Sequence, residues 1–325
     1  MFNNYYFIFL TAVIYIINCN NFINTTPINN NSQQNNQSID FSDSYIHVCG
    51  GWDGSNYHSE CYRYNTHTTW QSMPSLTLPR DDYSLVTYDK KLFAIGGYNG
   101  NYLNSVESYD TQTNQWKPIA SMNILRHYHD AAVLDNTIYV CGGENGNNVF
   151  KSCEYYYKAI DEWHFATAMS MERRGLALVA HEGYMYAIGG KNLNEYTNTM
   201  ERYDTVKQQW QPMSNMKYTR GYFGSASFLD KIYVCGGWGT SDWKSCETYD
   251  PLTNQWTQIA SMLLDRSDFK LIAFDDKLYA LGGLTMGGQQ TDTVEIYDYK
   301  ANQWSYTTSL PKPLEMFGAS VITYL

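Results

Sequence analysis

His127 and His129 stand at alternate positions in the run RHYHD, and two imidazoles on one strand face can ligate a transition metal. The other five of seven histidines are scattered, and loop histidines are commoner than ligands, so no metal or cofactor is expected. Carboxylates could serve acid–base chemistry. Those that stand out, Glu107, Glu154, Glu201, Glu247 and Glu295, recur at one spacing, which speaks for structure rather than a single catalytic centre. Arg80, Arg126, Arg173, Arg220 and Arg266 also recur, and structural work is again the expectation. No Ser-His-Asp or Cys-His arrangement stands out, so no catalytic residue is assigned.

The elements that must position these columns follow from a second set of residues. Six Gly-Gly doublets recur at intervals of 46 or 47 residues, beginning at Gly50, Gly96, Gly142, Gly189, Gly236 and Gly282. Each is followed 19 to 21 residues later by a tryptophan: Trp70, Trp116, Trp163, Trp210, Trp256 and Trp304. A unit of this length cannot bury its own faces and must stack on its neighbours. The second unit reads as four strands, YSLVTY, KLFAIGG, VESYD and QWKPIA, with YNGNYLNS as a polar loop between the second and third. None of the doublets opens a helix, as a dinucleotide site would require.

The third strand and the tryptophan after it read VESYDTQTNQW, MERYDTVKQQW, CETYDPLTNQW and VEIYDYKANQW, beginning at Val106, Met200, Cys246 and Val294. Unit three, CEYYYKAIDEW, has Tyr157 for the Asp, and unit one has Tyr62 for the Glu. This pattern resembles the kelch repeat and covers about residues 42–325. The resemblance implies an all-β, six-bladed β-propeller of four-stranded antiparallel blades. The first unit lacks an innermost strand, while the terminal MFGASVITYL aligns with YFGSASFLDK at Tyr222, so the C-terminal strand should complete blade 1. The repeats are most similar to those of BTB-kelch ubiquitin-ligase adaptors, but no BTB or BACK segment is present.

Odd and even units differ. Odd units end their second strand in VCGG and even ones in AIGG or ALGG, and three cysteine pairs follow: Cys49 with Cys61, Cys141 with Cys153, Cys235 with Cys246. Opposed on neighbouring strands, each pair could be a disulfide. Alternatively the six are small buried residues. Compartment decides between these readings. Residues 1–19 carry a 13-residue apolar run, Tyr5 to Ile17, short for a membrane span and suited to a signal peptide, though without a basic flank; an uncleaved N-terminal anchor is the alternative. Residues 20–41 form an Asn/Gln-rich linker expected to be disordered, with glycosylation sequons at Asn24, Asn30 and Asn36. Secretion is the expectation, and a cytoplasmic chain is the alternative.

Net charge of -10 with no basic stripe argues against nucleic acid or an anionic membrane as partner, and the propeller is not expected to insert in a bilayer. The resemblance places the loop after each Gly-Gly and the loop into the next blade on one face. That face is expected to hold Trp52, Tyr57, Tyr98, Tyr102, Tyr196, Trp238 and Trp243 beside the arginine column. Two residues past that column the side chain varies: Asp82, Tyr128, Gly175, Tyr222, Asp268 and Met316. Tyr128, Tyr222, Trp238 and Arg174 are the first candidates for partner contact, with Asp82, Asp268, Trp52 and Tyr98 beside them. The expected function is non-catalytic binding of a protein, or of a glycan. Two alternatives follow from the resemblance: a ligase-type substrate module without its BTB domain, and a secreted copper-oxidase-like or mutarotase-like enzyme.

Overall fold

The computed structural model describes residues 44–324; the apolar segment, the linker, Cys19 and the three sequons lie outside the described residues. Six four-stranded antiparallel sheets stand around a central channel. In blade 2 the order from the channel outward is Ser84–Tyr88, Lys91–Tyr98, Tyr102–Asp110 and Gln115–Ile119. The second strand is covered on both faces by adjacent blades, which is why Leu92 to Ile95 form an unbroken apolar run. The outermost strand is mostly exposed and buries only Trp116.

Ring closure is as the sequence suggests. In blade 1 the innermost strand is Gly318–Thr323, which pairs with Ser44–Cys49 in a register running from Cys49 opposite Gly318 to Ser44 opposite Thr323. The tryptophans tie each blade to the one before it. Trp116, Trp163, Trp210, Trp256 and Trp304 donate their indole N–H to the carbonyls of Pro74, Ala120, Thr167, Ser214 and Ala260 at 2.9 to 3.0 Å. Trp70 lies on Tyr64 at 5.1 Å between ring centroids and packs against the core cluster that includes Phe274 and Tyr279 of blade 6. The doublets permit close backbone approach: Gly97 has φ +101, and a Cβ there would lie 2.4 Å from the Asp81 carbonyl. The three cysteine pairs are disulfides, each joining the second and third strands of blades 1, 3 and 5.

One loop differs from expectation. Tyr98 and Tyr102 to Ser105, read as polar loop, are strand, paired Tyr98 to Tyr102 and Gly97 to Leu103 beyond a bulge. Asn99-Gly100, with Gly100 at φ +96, turns the chain tightly enough for the hairpin to extend.

The arginine and glutamate columns meet. Arg80–Glu107, Arg126–Glu154, Arg173–Glu201, Arg220–Glu247 and Arg266–Glu295 are buried ion pairs at 2.7 to 3.3 Å. Each guanidinium also donates to the carbonyl of a doublet's first glycine, as Arg80 does to Gly96 at 2.8 Å. The arginine's own carbonyl accepts from the preceding blade, as Arg80 does from Gly51. These residues therefore latch blades together. At the sixth junction both members are replaced: Leu314 is buried in the arginine position, and Tyr62 holds the glutamate position.

Candidate functional site: the channel mouth and its loop face

Immediately after each arginine position the chain forms a backbone bridge to the segment that follows a Gly-Gly doublet. Asp81 pairs with Tyr98, Arg174 with Lys191, Gly221 with Trp238, Ser267 with Leu284 and Glu315 with Trp52, while His127 pairs with Glu144. These bridges bring both loop sets to one face.

One residue further on, the chain turns into the channel through left-handed backbone. Asp82, Tyr128, Gly175, Tyr222, Asp268 and Met316 have φ between +49 and +59. Their amides and carbonyls form a closed circle. Tyr128 N–H donates to Asp82, Gly175 to Tyr128, Tyr222 to Gly175, Asp268 to Tyr222, Met316 to Asp268 and Asp82 to Met316, at 2.8 to 3.1 Å. The variable column is thus the rim of the channel, a cavity of about 360 Å³ bounded by the innermost strands. Non-glycine residues in this backbone region each cost on the order of 1 kcal/mol or more. Only Gly175 avoids that, and the Tyr222 ring lies over it, 2.6 Å from where a Cβ would stand.

Aromatic rings continue outward from the rim. Trp52 contacts Tyr57 at 4.6 Å between centroids, Tyr57 contacts Tyr98 at 5.8 Å, and Tyr98 contacts Tyr102 at 5.1 Å. Tyr102 reaches His127 at 4.9 Å, His127 reaches Tyr128 at 4.2 Å, Tyr128 reaches Tyr222 at 4.9 Å, and Tyr222 reaches Tyr196 at 6.4 Å. The belt runs from the blade 1 loop to the segment entering blade 5. Trp238 is 37% exposed and donates its indole N–H to Asp268 at 3.1 Å. Trp243, expected beside it on the face, is instead buried behind it, with centroids 4.2 Å apart. Arg174 reaches the rim, but its guanidinium is paired with Glu144.

Across the rim from Gly175, and inside the Trp52 and Tyr98 end of the belt, the mouth is acidic. Asp268, Glu315, Asp81 and Asp82 lie on three consecutive inter-blade segments, which the rim hydrogen bonds place side by side. Burial, then the neighbouring Glu315 charge, push Asp81 up to about 7. Burial pushes Asp268 up to about 7 as well, against donors on Ser267 and Trp238 and with Glu315 adding to it. Asp82 is raised well above the usual carboxylate range by burial and then Asp81, and Glu315 is raised by burial. The Tyr128 hydroxyl donates to Asp82. Asp81 and Glu315 were not singled out in the sequence, although the column just ahead of the rim, Asp81, His127, Arg174, Gly221, Ser267, Glu315, was available to inspect.

His127 and His129 stand in different surroundings. His127 lies 3.0 Å from the Glu144 carbonyl through Nδ1. His129 is buried, its basicity pushed down to about 3 by burial and then by Arg126. Tyr128 between them is left-handed, so strand alternation is broken. Among the described residues no three His, Cys, Asp or Glu side chains could hold a metal ion.

The model of the KLHDC2/KLHL20/DRC7 Kelch-repeats domain matches residues 38–237 and again 126–283, and that of the Kelch motif matches 265–311. No BTB or BACK model matches. No curated protein matches the chain. A solved structure described as "Structure of YjhT" is 16% identical over 80% of this chain and 96% of that one, with a TM-score of 0.69, a likeness of fold alone. Six doublets, five arginine–glutamate latches and a family match over more than half the sequence agree: the chain belongs to the kelch-repeat family.

Proposed function

We propose that this propeller is a non-catalytic recognition module that binds a protein partner through the loop face around the channel mouth. Kelch propellers are commonly protein-interaction scaffolds and typically non-catalytic. The observation that carries the reading is the rim. Five of its six residues bear side chains in a backbone region that favours glycine, so each holds a side chain at the mouth at a conformational cost. Around them lie Tyr and Trp rings, the residue types that dominate interface energetics because they bury much area with few torsions. Tyr128, Tyr222, Trp238, Trp52 and Tyr98 are assigned to partner contact, Asp82 and Asp268 to charge at the rim, and Arg174, through Glu144, to a fixed edge of the surface.

The three disulfides fit an oxidising compartment, so the module is proposed to work in the secretory pathway or outside the cell. A ligase-adaptor role in the cytosol is disfavoured on the same ground. An acid–base enzyme is the second reading, and the carboxylates that titrate near neutrality at the mouth favour it; turnover of a sugar substrate by the purified protein would establish it.

The test is a Tyr128→Ala/Tyr222→Ala double variant beside an opposite-face control, Val206→Glu/Leu252→Glu, both checked for native melting. The reading predicts that partner recovered from native extract falls at least tenfold in the first and is unchanged in the second. The reverse pattern would overturn it.

A further inference from the structure

Among the described residues, the junction glutamates and the mouth carboxylates are neutralised differently. Five inner glutamates each have a dedicated arginine. The mouth carboxylates Asp268, Glu315, Asp81 and Asp82 have only neutral donors: Ser267 and Trp238 on Asp268, Gln290 on one oxygen of Glu315, and Tyr128 on Asp82. Among the described residues none of the four is in an ion pair with Lys or Arg. Asp81 and Glu315 are 5% and 4% exposed, and Asp81 Oδ1 and Glu315 Oε2 are buried without any donor. The cation whose charge reaches Asp268 is Lys270, on the innermost strand, and it acts on Asp130 in the channel as well. The cluster is centred on the sixth junction, where the arginine position is Leu314 and Glu315 follows it.

A buried, unpaired acceptor costs about 1 to 3 kcal/mol, and more when charged, so Asp81 Oδ1 and Glu315 Oε2, with the part-buried Asp82 and Asp268 beside them, call for a positive counterpart. A single metal ion does not fit, because no three of these ligand types converge. A neutral glycan would satisfy hydrogen bonds but not charge. An alkyl-ammonium or guanidinium brings three to five donors and a stem that packs on aromatic rings, and such rings border the cluster at Tyr128 and Trp238. The chain's net charge of -10 draws a basic partner toward it.

We infer that the partner is a basic protein segment that inserts one lysine or arginine side chain at the channel mouth, its charge held among Asp81, Asp82, Asp268 and Glu315. This rests on the loop-face reading and names what that face selects.

Random twelve-residue peptides displayed on phage and selected on the folded, oxidised propeller test it. The inference predicts enriched peptides with Lys or Arg at one fixed position. Replacing that residue by norleucine, or the protein's Asp81→Asn together with Asp268→Asn, should weaken binding at least tenfold. The Asn variants keep shape and remove repulsion, so the double variant should melt no lower than the parent. Enriched peptides that lack a basic residue yet depend on Tyr128 and Tyr222 would overturn the inference and leave the loop face standing. Peptides indifferent to both pairs of substitutions, or no enrichment of basic over acidic sequences, would overturn it too, and indifference to Tyr128 and Tyr222 would count against the loop face as well.

Discussion

Arg126 shows how one side chain joins two blades. Its guanidinium is spent on Glu154, the Gly142 carbonyl and Ser152, while its own carbonyl accepts from Gly97 of the blade before. Arg126→Met would leave Glu154 buried and unpaired, and should destabilise by about 3 to 5 kcal/mol in urea unfolding. Adding Glu154→Gln should recover part of that loss, because the natural sixth junction works with neither charge. The rim acids have the opposite sign. Asp81 faces Glu315, Asp82, Asp268 and Tyr57, and Asp268 faces Glu315, Asp82, Lys270, Tyr128, Tyr196 and Tyr222. Their folded values near 7 exceed the unfolded value of about 4, so between those limits the native state binds more protons and stability falls as pH rises. The melting advantage of Asp81→Asn/Asp268→Asn should therefore be absent at pH 4, grow to about pH 7 and then level off. A pH-independent advantage, or none, would contradict the assignment.

Strands were largely legible from the sequence because burial between blades forces apolar runs such as LFAI and YVC, and because doublets and tryptophans recur in step. The hairpin at Tyr98 to Ser105 was not, since its Asn and Gly residues carry the composition of a loop while Tyr98 and Tyr102 pair across the turn. Trp243 was misplaced because a loop aromatic carries no sign of which way it turns. The rim column was legible as variable, but Tyr, Asp and Met give no hint of left-handed backbone, and so the closed hydrogen-bonded circle was invisible. The arginine and glutamate columns were each seen; their shared absence at Leu314 and Tyr62 was the unread sign that they pair. The strand Gly318–Thr323 carries the heaviest single duty, since without it Ser44–Cys49 is an open edge and Phe317, wholly buried, has no site. Deleting residues 317–325 should abolish the cooperative thermal transition, whereas a blade-2 outer-strand change such as Lys117→Ala should shift melting little. A truncated protein that melts near the parent would refute the closure.

The described residues form a ring of six sheets, five of its junctions latched by an arginine–glutamate pair and alternate blades stapled internally by disulfides, with one aromatic face that has an acidic notch at its centre. Charge latches and disulfides hold the frame, while the rim positions vary within it. That division lets recognition change without disturbing the ring. The most direct measurement is cross-linking mass spectrometry of the propeller with its partner in the native extract. The account predicts partner cross-links from Lys191 and Lys244, beside the mouth, and none from Lys207 and Lys300 at the turns of the other face. Cross-links confined to Lys207 and Lys300 would contradict it.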